Sequence, residues 1–527
     1  MVPSVCLHPL RSSDLPKAAP KTGIEGNDYH EVPQLRATMR VSMSVLSKIR
    51  SSSSSASTRS YVMKRFATLL VLLAPMLLLL ACGGASSTSN QSGAQTGQVF
   101  ITGEDAPVSS VVAFNITINK ITLNNSSTSV DALTAPTAVD FGRLMGLRSL
   151  LGFNTIPQGT YKSATLTFEG TNPAPVINYI DLSGGTPTVK PLSGTLTQAT
   201  ITVPFPAGKP LVVGSNSLAG LHIDFDLRDS LAVDGSGQMT GSITPVVAVQ
   251  AVSASEELGE ITEFTGNVVS VNAAGSSFVM QGPYGFQRTI DVNSNPQYNG
   301  SNSINTIVAN AIVSVIGRMQ ADGSILAKDV DVISTDKAFV SGRILAVNPA
   351  SGPVQNVTMW VGEELGTSGV LPVDTVQTID LSDPSLIYAV CFFDNILTQQ
   401  VFNPSALVVG QRIFIGGIVS NGSFTPKLVS LRRQGVVGQL VSGSVVVTGG
   451  TGSDLGYFQM QNDLLMSYSA GGPFTVKTGD LTLFANINGL AGLAQAGTPK
   501  LLSRGLVFKD MNTGKPFVVA GYVRVLP

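Results

Sequence analysis

Leu221-His222-Ile223-Asp224-Phe225-Asp226-Leu227-Arg228 alternates apolar and polar side chains without a break. Successive side chains of a strand point to opposite faces, so this spacing predicts a strand with one face in a core and the other face wet. The same period of two returns on either side of it. Val112, Phe114, Ile116 and Ile118 fall on one face, and Ile121 and Leu123 fall out of phase with them, which predicts a bulge or bend between the two sets. Tyr161 to Phe168 reads as a strand entered through the turn Pro157-Gln158-Gly159. Asp234-Gly235 reads as a hairpin turn leading to a closing strand near Ile243 to Val249. One departure is a short helix predicted at Phe141 to Leu151, where Leu144, Leu147, Leu150 and Leu151 recur at helical spacing.

Composition agrees with an all-β reading. Charged residues are only 12% of the 527, too few for long solvated helices, while 43% hydrophobic residues supply apolar surface for several cores. The length exceeds what one core holds, so several domains are expected. Ten of the 32 Lys and Arg, but four of the 33 Asp and Glu, lie in residues 1–65, which leaves the remainder at −7. A mildly acidic body with no basic stripe lacks the footprint that holds a phosphate backbone, so nucleic acid is not an expected partner. Cys6, Cys82 and Cys391 are the three cysteines, too few and too scattered for a disulfide framework. Cys391 lies in an apolar run and reads as one more small hydrophobe.

Beyond Glu256 the chain repeats. Phe264-Thr265-Gly266-Asn267-Val268-Val269-Ser270-Val271-Asn272 matches Val340-Ser341-Gly342-Arg343-Ile344-Leu345-Ala346-Val347-Asn348, and Val437-Gly438-Gln439-Leu440 is a weaker third start. Gly317 to Gly323 has the spacing of Gly416 to Gly422, and Asp322-Gly323 and Asn421-Gly422 are hairpin signals. The third copy lacks such a hairpin and is expected to end in an extra strand near Phe517 to Val525.

Asp105-Ala106-Pro107, Ile156-Pro157-Gln158-Gly159-Thr160-Tyr161, Ile223-Asp224-Phe225-Asp226 and Thr244-Pro245-Val246-Val247 together resemble the bacterial domain of unknown function 4382, over roughly residues 98 to 251. The resemblance implies an envelope lipoprotein and a prealbumin-like or Ig-like β-sandwich, and it implies no activity. The repeats resemble the domain of unknown function 5666. The expected organisation is a sandwich at 98–253, then tandem small β-barrel or β-roll domains at 258–336, 337–433 and 434–527, strung like beads away from the N-terminus.

Met63-Lys64-Arg65 followed by apolar Phe66 to Ala81 has the form of a secretory signal at 63–82, too short to span a membrane comfortably and interrupted by Pro75. It ends in Leu79-Leu80-Ala81-Cys82-Gly83, which resembles the bacterial lipobox. The resemblance implies cleavage between Ala81 and Cys82, acyl chains on Cys82 and, with Gly83 following, passage to the outer membrane. Each buried methylene contributes about 0.8 kcal/mol, so two or three chains anchor permanently. Residues 83–97 are small and polar and read as a flexible tether. Residues 1–62 precede the signal and read as a disordered, non-native extension.

Beyond the signal the only histidine is His222, and no G-x-S-x-G elbow, P-loop or dinucleotide fingerprint occurs. The sharpest constellation is His222, Asp224 and Asp226 on one strand face, with Asp229 and Asp234 after it. Alternate carboxylates on a strand lie about 6.5 to 7 Å apart, close enough to share Ca²⁺ or act as an acid and base pair. The other reading is a solvated face neutralised by Arg228. Asp329 and Asp331 read as edge-strand charge. Trp360, Tyr284, Phe286 and Tyr298 are candidates for a carbohydrate platform. The resulting expectation is a lipid-anchored envelope protein with a non-catalytic structural or binding role, no cofactor, and an envelope glycan or protein as partner. A glycan-acting enzyme and a calcium-stabilised adhesin are the alternatives. Translation from Met63 predicts that mass spectrometry of the delipidated native protein finds no tryptic peptide from residues 1–62; one such peptide refutes the start site.

Overall fold

A computed structural model describes residues 95–526, except 107–109, 182–187, 236–237, 302, 336–337, 391–399, 450–454 and 463–472. The extension at 1–62, the signal with Ala81 and Cys82, most of the tether, and Cys391 lie outside the described residues. The regular structure of these residues is nearly all strand, and no helix among them is long and apolar enough to cross a membrane. The first strand begins at Thr96, inside the segment expected to be tether.

Two sheets face each other over residues 96–252. One runs Val247–Val252, Leu218–Asp226, Thr96–Ala106, Ser149–Pro157; the other runs Thr200–Pro204, Ser163–Phe168, Val111–Asn124, Val176–Asp181, Thr188–Ser193. Leu221, Ile223 and Phe225 from the first meet Phe114, Ile116, Ile118, Leu166 and Phe168 from the second. The Phe225 ring lies 4.9 to 5.7 Å from those of Phe114, Phe141 and Phe168 and ties the layers together. The bulge is where the phase change placed it. Ile118 pairs with Phe168 and Lys120 with Thr167, so Asn119 is the extra residue, and Ile118 and Ile121 both turn inward. The Pro157 turn is held by Tyr161, whose hydroxyl donates to the Pro157 carbonyl at 2.8 Å.

The predicted helix is replaced by something else. Only Phe141–Arg143 makes a helical turn, a 3₁₀ turn capped by Asp140; Gly146 turns the chain at φ +63°, and Ser149–Pro157 is a strand. The leucines are all buried, but on different partners. Leu144 and Leu151 enter the sandwich core, whereas Leu150 packs with Ile261 and Phe264 of the next domain. Their spacing answers to several neighbours rather than to one helix face.

The repeats share one strand order, and among the described residues the first and third close into small barrels. In the first, Glu260–Asn272, Ser277–Gln281, Gln287–Asp291, Ile325–Ser334 and Ile312–Met319 close a ring, because Gln287–Asp291 pairs in parallel with Ile325–Ser334. In the third, Gln434–Leu440, Gly456–Asn462, Phe474–Thr478, Pro516–Val525 and Lys500–Lys509 pair in the same order, again with one parallel closing pair. Phe517 to Val525 is therefore not an extra strand; it occupies the place of Ile325–Ser334. The second runs Thr375–Asp380, Asn356–Leu365, Ala338–Asn348, Arg412–Ser420, Ser423–Leu431, Ile387–Val390 in one row. The glycine common to the three starts has one cause. A Cβ on Gly266, Gly342 or Gly438 would lie 1.9, 1.7 or 2.6 Å from the carbonyl oxygen of Gln281, Trp360 or Gln461 on the next strand. The hairpin register needs one correction. Pairing slips between Ile316 and Gly317 and between Gly416 and Gly417, so Gly317 corresponds to Gly417. The mismatch comes from the turns, three residues before Ser324 in one barrel and the two-residue Asn421-Gly422, both at positive φ, in the other.

The domains are not beads. Phe100 and Leu150 of the sandwich join the first barrel's core, and Leu506, Phe508 and Phe517 of the third join the second's. Phe339 and Phe414, 4.8 Å apart and edge to face, pack with Ile312 and Ile333 between the first and second. Leu345 and Trp360 of the second rest on Val112, Ala113 and Ile180 of the sandwich. Because a backbone carbonyl cannot move aside, Gly342→Ala should lower the unfolding free energy by more than about 2 kcal/mol, whereas Gly479→Ala, with open space around it, should stay within about 0.5 kcal/mol by urea denaturation.

Candidate functional site

The strands Thr96–Ala106 and Leu218–Asp226 run parallel, with Thr102 opposite His222 and Glu104 opposite Asp224. Their odd-numbered side chains at 221, 223 and 225 fill the sandwich, so these four polar groups point the other way. That face is not wet. His222 and Glu104 are each 1% exposed, because the first and third barrels cover them.

Arginines come in from three segments. Arg148, fully buried, approaches Glu104 Oε2 at 3.6 Å and donates to Glu257 Oε1 at 2.8 Å. Arg504 of the third barrel reaches the same Glu257 oxygen at 3.2 Å, and Arg524 lies 3.5 Å from Asp224 Oδ2. His222 Nδ1 is 3.2 Å from Thr102 Oγ1, and its Nε2 is 3.6 Å from Glu104 Oε2.

Charge is divided unequally between the two facing carboxyls. Burial acts to raise Glu104, but Arg148, Arg524, His222 and Arg504 together hold it below its ordinary value. Asp224 is pushed up to about 7, first by burial and then by the negative charge of Glu104. Below about pH 7 the pair therefore holds one proton, on Asp224, while Glu104 stays ionised. Burial pulls His222 down to about 4, so the imidazole is neutral. Asp105, on the core side of the same strand, is raised well above its ordinary value by burial and by Asp224; its Oδ1 accepts from the Leu227 amide at 3.3 Å.

The metal expectation on His222, Asp224 and Asp226 does not describe this geometry. His222 engages Thr102 and Glu104, Asp224 engages Arg524, and Asp226 accepts from the Asp229 amide at 3.1 Å as the cap of a short helical turn. Among the described residues no group of three His, Cys, Asp or Glu is placed to hold a metal ion. Asp329 and Asp331 sit on an interior strand, not an edge. Both are 4% exposed, and Asp331 forms an ion pair with Arg432 of the second barrel. The aromatic platform is dispersed: Trp360 is buried under the sandwich, Tyr284 packs on the sandwich core and Tyr298 on the first barrel's core.

A second set of buried pairs lies nearby. Arg412 grips Glu263 through both terminal nitrogens at 2.6 and 2.7 Å, and Arg143 lies 3.1 Å from Glu363. Arg148, Arg504, Arg412 and Glu104 were not singled out from the sequence. The signal available was isolation: in a chain this poor in charge, an arginine inside Leu501-Leu502-Ser503-Arg504-Gly505-Leu506-Val507 marks a charge that folding must bury with a partner. What a strand pattern cannot supply is which partner. Chemically the cluster binds domains to one another; Glu104 and His222 are closed off from solvent, and the Asp224 side chain is 18% exposed.

Residues 96–241 match the model of a family described as Domain of unknown function (DUF4382). The match covers the sandwich up to its penultimate strand and stops short of the barrels. No curated protein matches the chain.

The two perturbed groups give opposite pH dependences. Folded Asp224 keeps a proton that the unfolded chain, at its ordinary value of 3.8, has lost, so its contribution to stability falls as pH rises from 4 to 7. Folded His222 refuses a proton that the unfolded chain takes up below 6.5, so its contribution falls as pH drops from 6.5 to 4. Asp224→Asn should therefore make the slope of unfolding free energy against pH more positive between these limits, and His222→Gln more negative, each by up to about 1.4 kcal/mol per pH unit. Urea denaturation across pH 4 to 7 reads both slopes; parallel curves for wild type and Asp224→Asn would refute the shared proton.

Proposed function

We propose that this chain is a membrane-anchored cell-envelope lipoprotein with a non-catalytic structural or binding role, held by acyl chains on Cys82 and carrying a sandwich followed by three barrels of the domain of unknown function 5666 kind. The observation that carries the non-catalytic part is the use made of the acid and base groups. Glu104, His222 and Asp224 face other domains, with Arg148 beside the Glu104 carboxylate and Arg524 beside the Asp224 carboxyl. A glycosidase needs its two carboxyls open to a sugar and a water. The anchor rests on Met63-Lys64-Arg65, the apolar run and Leu79-Leu80-Ala81-Cys82-Gly83. The 4382 match agrees with an envelope location through the resemblance given above, and the shared pairing scheme of the barrels supports their being copies of one module. An outer-membrane address follows from Gly83, and the exposed surfaces of several domains offer sites for an envelope glycan or protein.

Metabolic labelling with an alkynyl fatty acid should mark the native protein and leave Cys82→Ala unmarked. Label that survives the substitution refutes the anchor. Loss of envelope-glycan turnover in an Asp224→Asn variant that remains folded refutes the non-catalytic role.

A further inference from the structure

A cavity of about 40 Å³ lies where the second barrel meets the sandwich. Its polar lining is Arg143, Arg343, Arg412, Ser341, Gln434 and Trp360; no carboxylate lines it. Glu363 and Glu263 neutralise Arg143 and Arg412 from outside that lining, at 3.1 and 2.6 Å. Two donors remain without an acceptor. Arg143 Nε–H and the indole Nε1–H of Trp360 are buried, and neither has a hydrogen-bond partner. Trp360 itself is 3% exposed. A buried donor left unmade costs about 1 to 3 kcal/mol, so both call for something with lone pairs.

Water and an anion both carry lone pairs. The lining favours the anion: besides the Ser341 hydroxyl and the Gln434 amide, whose oxygen is already taken by the Arg412 amide, its polar side chains are guanidiniums and an indole, all donors, with no carboxylate to repel negative charge. Space limits its size. A water needs roughly 10 to 15 Å³ on this measure, so the cavity takes a few waters or one small ion.

We propose that this cavity binds a small monovalent anion, a halide or a one- or two-carbon carboxylate, held by Arg143 Nε–H and the Trp360 indole N–H. The bound ion joins a residue of the sandwich to one of the second barrel, and Gln434 at the start of the third barrel completes the wall. The anion thereby ties the domain assembly to the ionic composition around it.

Trp360 is the one tryptophan in the chain, so its emission reports this site without a label. Gly362 also lines the cavity, and a Cβ there would meet nothing nearer than the Trp360 ring, 3.9 Å away at Nε1. Gly362→Ala therefore narrows the cavity while leaving every donor in place. The full-length protein in detergent is titrated with sodium bromide against sodium gluconate at constant ionic strength. Quenching should saturate and should be reversed by competitors, with chloride or formate identifying which anion source the site prefers and sulfate ineffective. Gly362→Ala should weaken bromide binding at least tenfold with Tm unchanged in gluconate, and chloride should raise Tm in the wild type alone. Quenching that is absent or strictly linear in bromide overturns the proposal. So does a saturable curve that is the same in Gly362→Ala.

Discussion

The guanidinium of Arg148 is wholly buried, and the relation of the sandwich to the first barrel turns on it. Its Nε donates to the Glu260 carbonyl at 2.9 Å and its Nη2 to Glu257, while its own amide donates to Thr262 Oγ1 at 2.7 Å. Arginine suits this position because its planar fork reaches several acceptors at once, which a lysine ammonium on a flexible stem does not. Removing a charge from water costs several kcal/mol, and the partners of Nε and Nη2, with the Glu104 carboxylate 3.6 Å from Nη1, offset it. Those partners come from both domains, so the cost is met in one docking geometry and in no neighbouring one.

The segment carrying Arg148 is short, and every barrel touches it. Arg143 faces Glu363 of the second barrel; the Met145 carbonyl accepts from the Gly435 amide, and the Gly146 carbonyl accepts from Arg504 of the third. A regular helix here would spend those carbonyls on its own amides. Broken at Gly146, the backbone keeps them for the barrels. The failure to form a helix is thus what makes the segment an organising centre.

Apolar contact alone would permit many docking angles between barrels of similar shape. The buried charges narrow the choice, since a misplaced barrel would leave an arginine or a carboxylate unmatched at several kcal/mol. Phe414 illustrates how the two kinds of contact are combined. Its ring packs edge-on against Phe339 of the same barrel, the two rings meet Ile312 and Ile333 of the first, and the guanidiniums of Arg432 and Arg412 lie 4.0 and 5.0 Å from its centre. A desolvated cation over an aromatic face is worth up to about 2 kcal/mol, and here the same cations pair with Asp331 and Glu263 of the first barrel.

Strand identity, the bulge at Asn119, the turns at Pro157 and Asn421 and the repeat beginning at Gly266 and Gly342 were determined by the sequence itself, because each depends on residues a few positions apart: side-chain alternation, a phase change, or a backbone that only glycine allows. The same local logic showed that His222, Asp224 and Asp226 share a face. It did not show what the face meets. That His222 is neutral, that Asp224 keeps a proton beside Glu104, that Phe141 to Leu151 is not a helix and that Phe517 to Val525 repeats Ile325–Ser334 were decided only in the tertiary structure. Burial and charge pairing join residues one to three hundred positions apart, and no local spacing encodes which strand of which domain will lie across from an isolated charge.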